Sequence, residues 1–225
     1  MIYIGAWHKT GTNAIKKLFK IYQEKTGLNF EFQGKLDVLS NSIIENAKVI
    51  VCIRNPYEII MSGMRYHQIT TEKWCINPNN DGISYQDEIN SFESVEEKIL
   101  FEMKKIGGLT ITNMYNFIKN KTQYEVYSKA DKTVDINKNI LIIKLEDFMT
   151  EEGRTNIVSK ITDHVPILDK NILSNCIKIH GRKKFNKTNP LFSDTYQEYF
   201  TDELYKKFNS LFPSDLFEVL QYDSK

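Results

Sequence analysis

The chain is predicted to be an α/β protein, with three α/β/α layers around a central parallel sheet. Three observations carry that expectation. A continuous apolar, β-branched run stands at 49–53, like a strand buried on both faces, and further strands are expected at 2–6 and 140–144. Segments with helical periodicity separate them, as a parallel sheet requires. The residues best suited to chemistry follow directly on two of these strands, where ligands of such sheets bind. At 225 residues, 41% of them hydrophobic, one domain over 1–225 is expected.

The elements follow in order. After the first strand, Ile15, Leu18, Phe19 and Tyr22 stand at i, i+3, i+4 and i+7, one apolar helix face. A further strand is expected near 28–32 and a short helix over 36–46. The run Val49–Ile53 ends at Arg54. Asn55 then suits an N-cap and Pro56 the first helical position. Residues 68–93 contain Asn77-Pro78-Asn79-Asn80-Asp81-Gly82 and little apolar pattern, which fits a lid or a disordered excursion. Ser94 and Glu97 form a capping box, and Val95, Ile99, Met103 and Ile106 continue the stripe until Gly107-Gly108 breaks it. Helices are expected near 110–120, 151–164, 169–179, 201–211 and 214–221, and a polar connection over 124–139.

Residues 5–12, Gly-Ala-Trp-His-Lys-Thr-Gly-Thr, join the first strand to the first helix. A glycine-containing loop at a helix start gathers backbone N–H groups, and the helix end adds partial positive charge. Lys9 adds a full charge and Thr10 and Thr12 add hydroxyls. This is a phosphate cradle, but without the common P-loop order, in which Lys directly follows the second Gly.

Lys9-Thr10-Gly11-Thr12 resembles the 5′-phosphosulfate-binding loop of sulfotransferases that use 3′-phosphoadenosine 5′-phosphosulfate (PAPS). Arg54-Asn55-Pro56, with Ser62 two turns along the next helix, resembles the same family's 3′-phosphate motif. Leu145-Glu146-Asp147-Phe148 resembles its late strand-ending acidic turn, read as structural. Gly181-Arg182-Lys183-Lys184-Phe185 resembles its C-terminal phosphate-closing loop, though the glycine after Arg-Lys and the usual G-D-W-K are missing. The resemblance implies a P-loop-like sulfotransferase fold binding PAPS, with 3′-phosphoadenosine 5′-phosphate (PAP) as product and no metal. It places His8, Lys9, Thr10, Gly11, Thr12, Asn13, Arg54, Ser62, Arg182 and Lys183 at the nucleotide, with His8 shaping the loop. Lys9 would also donate to the bridging oxygen during transfer.

The acceptor's proton needs a base. The family's usual His between the two motifs is absent, since residues 13–53 contain none, and Gln33 falls nearest in register. Phe30-Glu31-Phe32 resembles the arrangement of bacterial members with a Glu before aromatic residues. Glu31 is therefore the first choice, with Asp37 and His67 as alternatives. A nucleotide kinase and a non-catalytic nucleotide-binding protein remain open beside the sulfotransferase reading.

Thirty basic against 29 acidic residues leave a net charge of +1, which gives no reason to expect nucleic-acid or membrane partners. A small-molecule acceptor is favoured over a polysaccharide, because no extended basic groove is legible. Three scattered cysteines suggest neither a disulfide framework nor a zinc site. With no signal peptide at the start and no apolar run near 18 residues, a cytoplasmic protein is expected.

Overall fold

The computed structural model describes residues 1–34, 36, 39–122, 138–181 and 195–223. Four strands form one all-parallel sheet: β1 (Ile2–Ala6), β2 (Glu31–Gln33), β3 (Lys48–Ile53) and β4 (Ile140–Lys144), in the order β2-β1-β3-β4. The register pairs Gly5 with Gln33 and Val51, and Cys52 with Ile143. Ile50, Cys52 and Ile143 face a core built with Ile15, Leu18 and Phe19. Val49, Val51 and Ile53 alternate to the other face and are equally buried. Both faces of β3 are thus covered, as its unbroken apolar run requires. The fold is α/β with a parallel sheet, as expected.

The chain divides into two compact units, residues 1–54 with 113–185, and 55–112 with 186–225. The first holds the sheet. Helix α1 (Thr12–Thr26) buries Ile15, Leu18, Phe19 and Tyr22 and ends at Gly27 in the left-handed conformation that favours glycine. α8 (Glu151–His164) and α9 (Lys170–Gly181) pack on the same face. Tyr22 takes part in this packing through both ends: its ring lies edge-on to Phe30, and its hydroxyl accepts from the Asp169 amide at 2.7 Å. α2 (Asn41–Glu45) precedes β3.

In the second unit α3 (Pro56–His67) starts as its sequence dictates: the Asn55 side chain accepts from the Tyr57 amide at 2.9 Å, and Pro56 takes the first position. Residues 68–93 are not a structureless excursion. They carry α4 (Lys73–Ile76) and α5 (Tyr85–Ser91), with Cys75, Ser84 and Ile89 buried. The apolar signal was thin because two short helices each bury only one or two residues. α6 (Val95–Lys104) has the expected capping box at Ser94 and Glu97. The break after it falls at Lys105, and Gly107-Gly108 lies inside α7 (Ile106–Thr122). These glycines serve close packing. A Cβ on Gly108 would meet the Met103 carbonyl at 1.9 Å, and one on Gly107 would meet the Ile60 side chain at 2.8 Å. Tyr57 sits among the rings of Tyr196, Phe200, Tyr205, Phe208 and Phe217; Tyr205 and Phe208 lie on α10 (Asp202–Leu211) and Phe217 on α11 (Leu216–Val219). Among the described residues no helix is long and apolar enough to cross a membrane.

Candidate functional site

The β1–α1 loop is built around one carbonyl. Trp7 O accepts from the Thr10 amide at 3.2 Å, the Thr10 hydroxyl at 3.0 Å and the Thr12 hydroxyl at 2.7 Å. The Trp7 amide in turn donates to Thr10 Oγ1 at 2.8 Å. Thr10 is completely buried. Its hydroxyl therefore tightens the loop and does not face a ligand, which corrects the role expected of it. Thr12 spends its hydroxyl proton in the same way. Trp7 anchors the loop to the unit's interior through edge-on contact with Phe117, at 5.5 Å between ring centres.

The loop turns through two left-handed residues, Lys9 at φ 62° and Gly11 at φ 96°. Gly11 suits this backbone, and a Cβ there would meet Leu145 Cδ1 at 2.7 Å. Lys9 is not glycine, and its conformation stores backbone strain of the order of 1–3 kcal/mol, a feature concentrated at functional sites. Gly11 also ends the loop as the N-cap of α1, so no side chain caps that helix, and no acid lies in its first turn. The amides of Thr12, Asn13 and Ala14 are thereby left to an outside acceptor. α3, α6, α8 and α10 all begin with a side-chain cap.

Arg54 stands at the carboxyl end of β3, next to β1, and donates from Nη1 to the Lys9 carbonyl at 3.3 Å. Lys9 and Arg54 therefore meet at one end of two neighbouring strands. The buried Cys52 thiol is held well above its ordinary range by desolvation first, then by Glu146, against the opposing pull of Arg54. That end of the sheet thus carries charges of both signs. Leu145, in the turn at Leu145–Phe148 after β4, buttresses Gly11. Nothing in the sequence pointed to it as part of the cradle, because its partner lies far away in the chain.

His8 and Lys9 are half-buried in the loop, Asn13 is exposed on the first turn of α1, and Ser62 is half-buried on α3 in the second unit. Arg182, Lys183 and Asp37 lie outside the described residues.

Glu31 does not reach the cradle. It opens β2, is exposed, and pairs in register with Tyr3, four residues before Trp7. At the rise of a strand this leaves it about 13 Å behind the start of the loop. The expectation of a base at Glu31 is corrected on this ground. His67 is sealed: its side chain is fully buried and its Nδ1 lies 2.8 Å from Glu102 Oε2. Tyr85 donates its hydroxyl to the same oxygen at 2.9 Å, and desolvation, reinforced by Glu102, pushes its phenol far up. The other carboxylate oxygen is buried without a hydrogen bond, in space left by Gly63 and Gly107. A histidine held this way has no route to a diffusible acceptor's proton.

Among the described residues no group of three His, Cys, Asp or Glu side chains could hold a metal ion. No family model matches the chain, and no characterised protein matches its sequence.

Proposed function

We propose that this chain is a sulfotransferase of P-loop-like architecture. It would transfer the sulfuryl group of PAPS to a hydroxyl or amine of an acceptor. The observation that carries this reading is the 3.3 Å contact between Arg54 and the Lys9 carbonyl. It joins, at the carboxyl ends of adjacent parallel strands, two motifs that the family uses for opposite ends of one nucleotide. The cradle fits a 5′-phosphosulfate. The uncapped amides of Thr12 to Ala14 offer donors, Lys9 offers charge, and the Trp7 and Lys9 carbonyls, which would repel an anion, are already engaged. Ser62 enters on the motif alone, as do Arg182 and Lys183.

In the reaction the acceptor oxygen forms a bond to sulfur. The bond from sulfur to the 5′-phosphate oxygen breaks, PAP leaves, and the acceptor's proton passes to a base. Lys9 stabilises the negative charge that gathers on the leaving oxygen, an interaction stronger in the transition state than before it. Arg54 holds the nucleotide and braces the loop that presents Lys9. For the base we carry Asp37 forward. Glu31 lies too far back and His67 is sealed. Leu36, the neighbour of Asp37, packs against Gly5 so closely that a Cβ there would lie 2.1 Å from its side chain.

The test is turnover of labelled PAPS with a panel of hydroxyl and amine acceptors. Asp37→Asn should cut transfer by roughly 10²–10⁴, the range of a lost general base, and Glu31→Gln should leave it nearly unchanged. Metal-dependent ATP cleavage without sulfate transfer would turn the reading towards a kinase. A fully active Asp37→Asn enzyme would remove Asp37 and leave the cradle assignment standing.

A further inference from the structure

An open groove of about 800 Å³ runs beside α1 in the first unit, from Asn13 at the helix start to Gly27 at its end. That span is about 21 Å of helix. Its first half is basic. Lys16, Lys17 and Lys20 line it, and none of the three forms an ion pair among the described residues. Lys16 and Lys20 stand at i and i+4 on one face, where like charges cost helix stability. In a protein of net charge +1 this concentration is local and not a reflection of general basicity. The rest of the groove is different in kind. It presents the amides of Gln23 and Asn29, joined by a 3.0 Å hydrogen bond, the carboxylate of Glu24, so that three lysines face one acid along the groove, and the half-buried ring of Phe32 on the edge strand β2.

We infer that this groove binds the acceptor, and that the acceptor is an acidic oligosaccharide. The inference rests on the sulfotransferase reading for the reaction, and on the groove alone for the chemistry of the ligand. The groove opens beside the cradle, because Asn13 directly follows Thr12. Lys16 and Lys20 stand one and two turns further on, so they would meet anionic groups roughly 6–12 Å from the cradle. The amides suit hydroxyls, and the Phe32 ring offers an apolar face to a sugar ring. Carboxylate or sulfate groups, many hydroxyls and an elongated shape are combined in an acidic glycan chain. The sequence favoured a small acceptor, and the groove is the reason the inference departs from that preference. The lysines lie on a helix face whose opposite wall comes from residues 27–32, and a linear reading does not assemble the two.

The test is calorimetric titration of the intact chain with a tetrasaccharide carrying one uronic acid per disaccharide. A neutral tetrasaccharide and hexaglutamate serve as comparisons, and PAP is titrated in parallel. The acidic tetrasaccharide should bind, more tightly at low salt, and the neutral one should bind much more weakly. Lys16→Glu with Lys20→Glu should weaken the acidic ligand about tenfold or more, as expected for reversing two contacts with a polyanion. Lys160→Glu, an exposed lysine on α8, should not. PAP affinity should stay unchanged in both variants. Failure of the acidic tetrasaccharide to bind, or indifference to the double reversal, overturns the inference. Tighter binding of hexaglutamate also overturns it, in favour of an acidic peptide. Normal PAP binding in any of these cases leaves the nucleotide site intact, and loss of PAP binding in the unaltered chain would instead sink the reading beneath it.

Discussion

Lys9→Ala is expected to lower sulfate transfer by about 10²–10³, the loss of roughly 2.7–4 kcal/mol of transition-state stabilisation. PAP binding should weaken far less. The difference arises because charge grows on the leaving phosphate oxygen only as the bond to sulfur breaks, so a lysine aimed there does most of its work at the barrier. Two features of the loop suit the proposed role. Lys9 keeps a left-handed backbone that few side chains adopt, and the Arg54 contact holds its carbonyl in place. Lys9→Arg separates charge from geometry. It keeps the cation but replaces a compact ammonium with a broad fork, so it should recover only part of the rate. Single-turnover kinetics beside equilibrium PAP titration would read both quantities. A Lys9→Ala enzyme of near-normal turnover would mean that the cradle has been assigned wrongly.

His67→Ala is expected to destabilise the protein by about 1–3 kcal/mol, the usual cost of leaving a buried polar atom without its hydrogen-bond partner. That is a large share of the ~5–15 kcal/mol that keeps a typical domain folded. Glu102 is completely buried, and its Oε2 takes both the His67 and the Tyr85 contacts. Without His67 the carboxylate keeps a single partner, while its Oε1 already has none. Replacing His67 and Glu102 with leucine together with Tyr85→Phe should recover most of the loss, because all three side chains of the hydrogen-bonded cluster are then apolar. Urea unfolding should show a lower midpoint with an unchanged slope. A midpoint like that of the unaltered protein would show that the pair carries no weight. His67 on α3 contacts Glu102 on α6, so its loss should appear in stability before it appears in the chemistry.

The strands were legible because each run is short, apolar and bounded. β1 and β4 match the expected limits, and β3 begins one residue early at Lys48. The start of α3 was equally clear, since Asn55 and Pro56 carry their instructions locally. The cradle was recognisable as a loop, but its internal bonding was not. Thr10 and Thr12 look like ligand donors in a linear reading, and only the folded loop shows both hydroxyls turned towards Trp7 O. Glu31 shows the same limit at longer range. Its distance from the cradle is set by strand register, which pairs it with Tyr3 and not with the loop. His67 was readable as a titratable residue near a motif. Its burial was not, because Glu102 and Tyr85 come from two other helices.

The proposed function requires the Lys9 loop and Arg54 to hold the two phosphate ends of one nucleotide. Calorimetry of PAP against 5′-AMP, in excess chelator, tests it most directly. PAP should bind without metal, and 5′-AMP should bind roughly tenfold to hundredfold more weakly, the worth of charge-assisted contacts to the 3′-phosphate. Arg54→Ala should remove most of that difference. Equal affinity for PAP and 5′-AMP in the unaltered protein would rule out a 3′-phosphate site at Arg54.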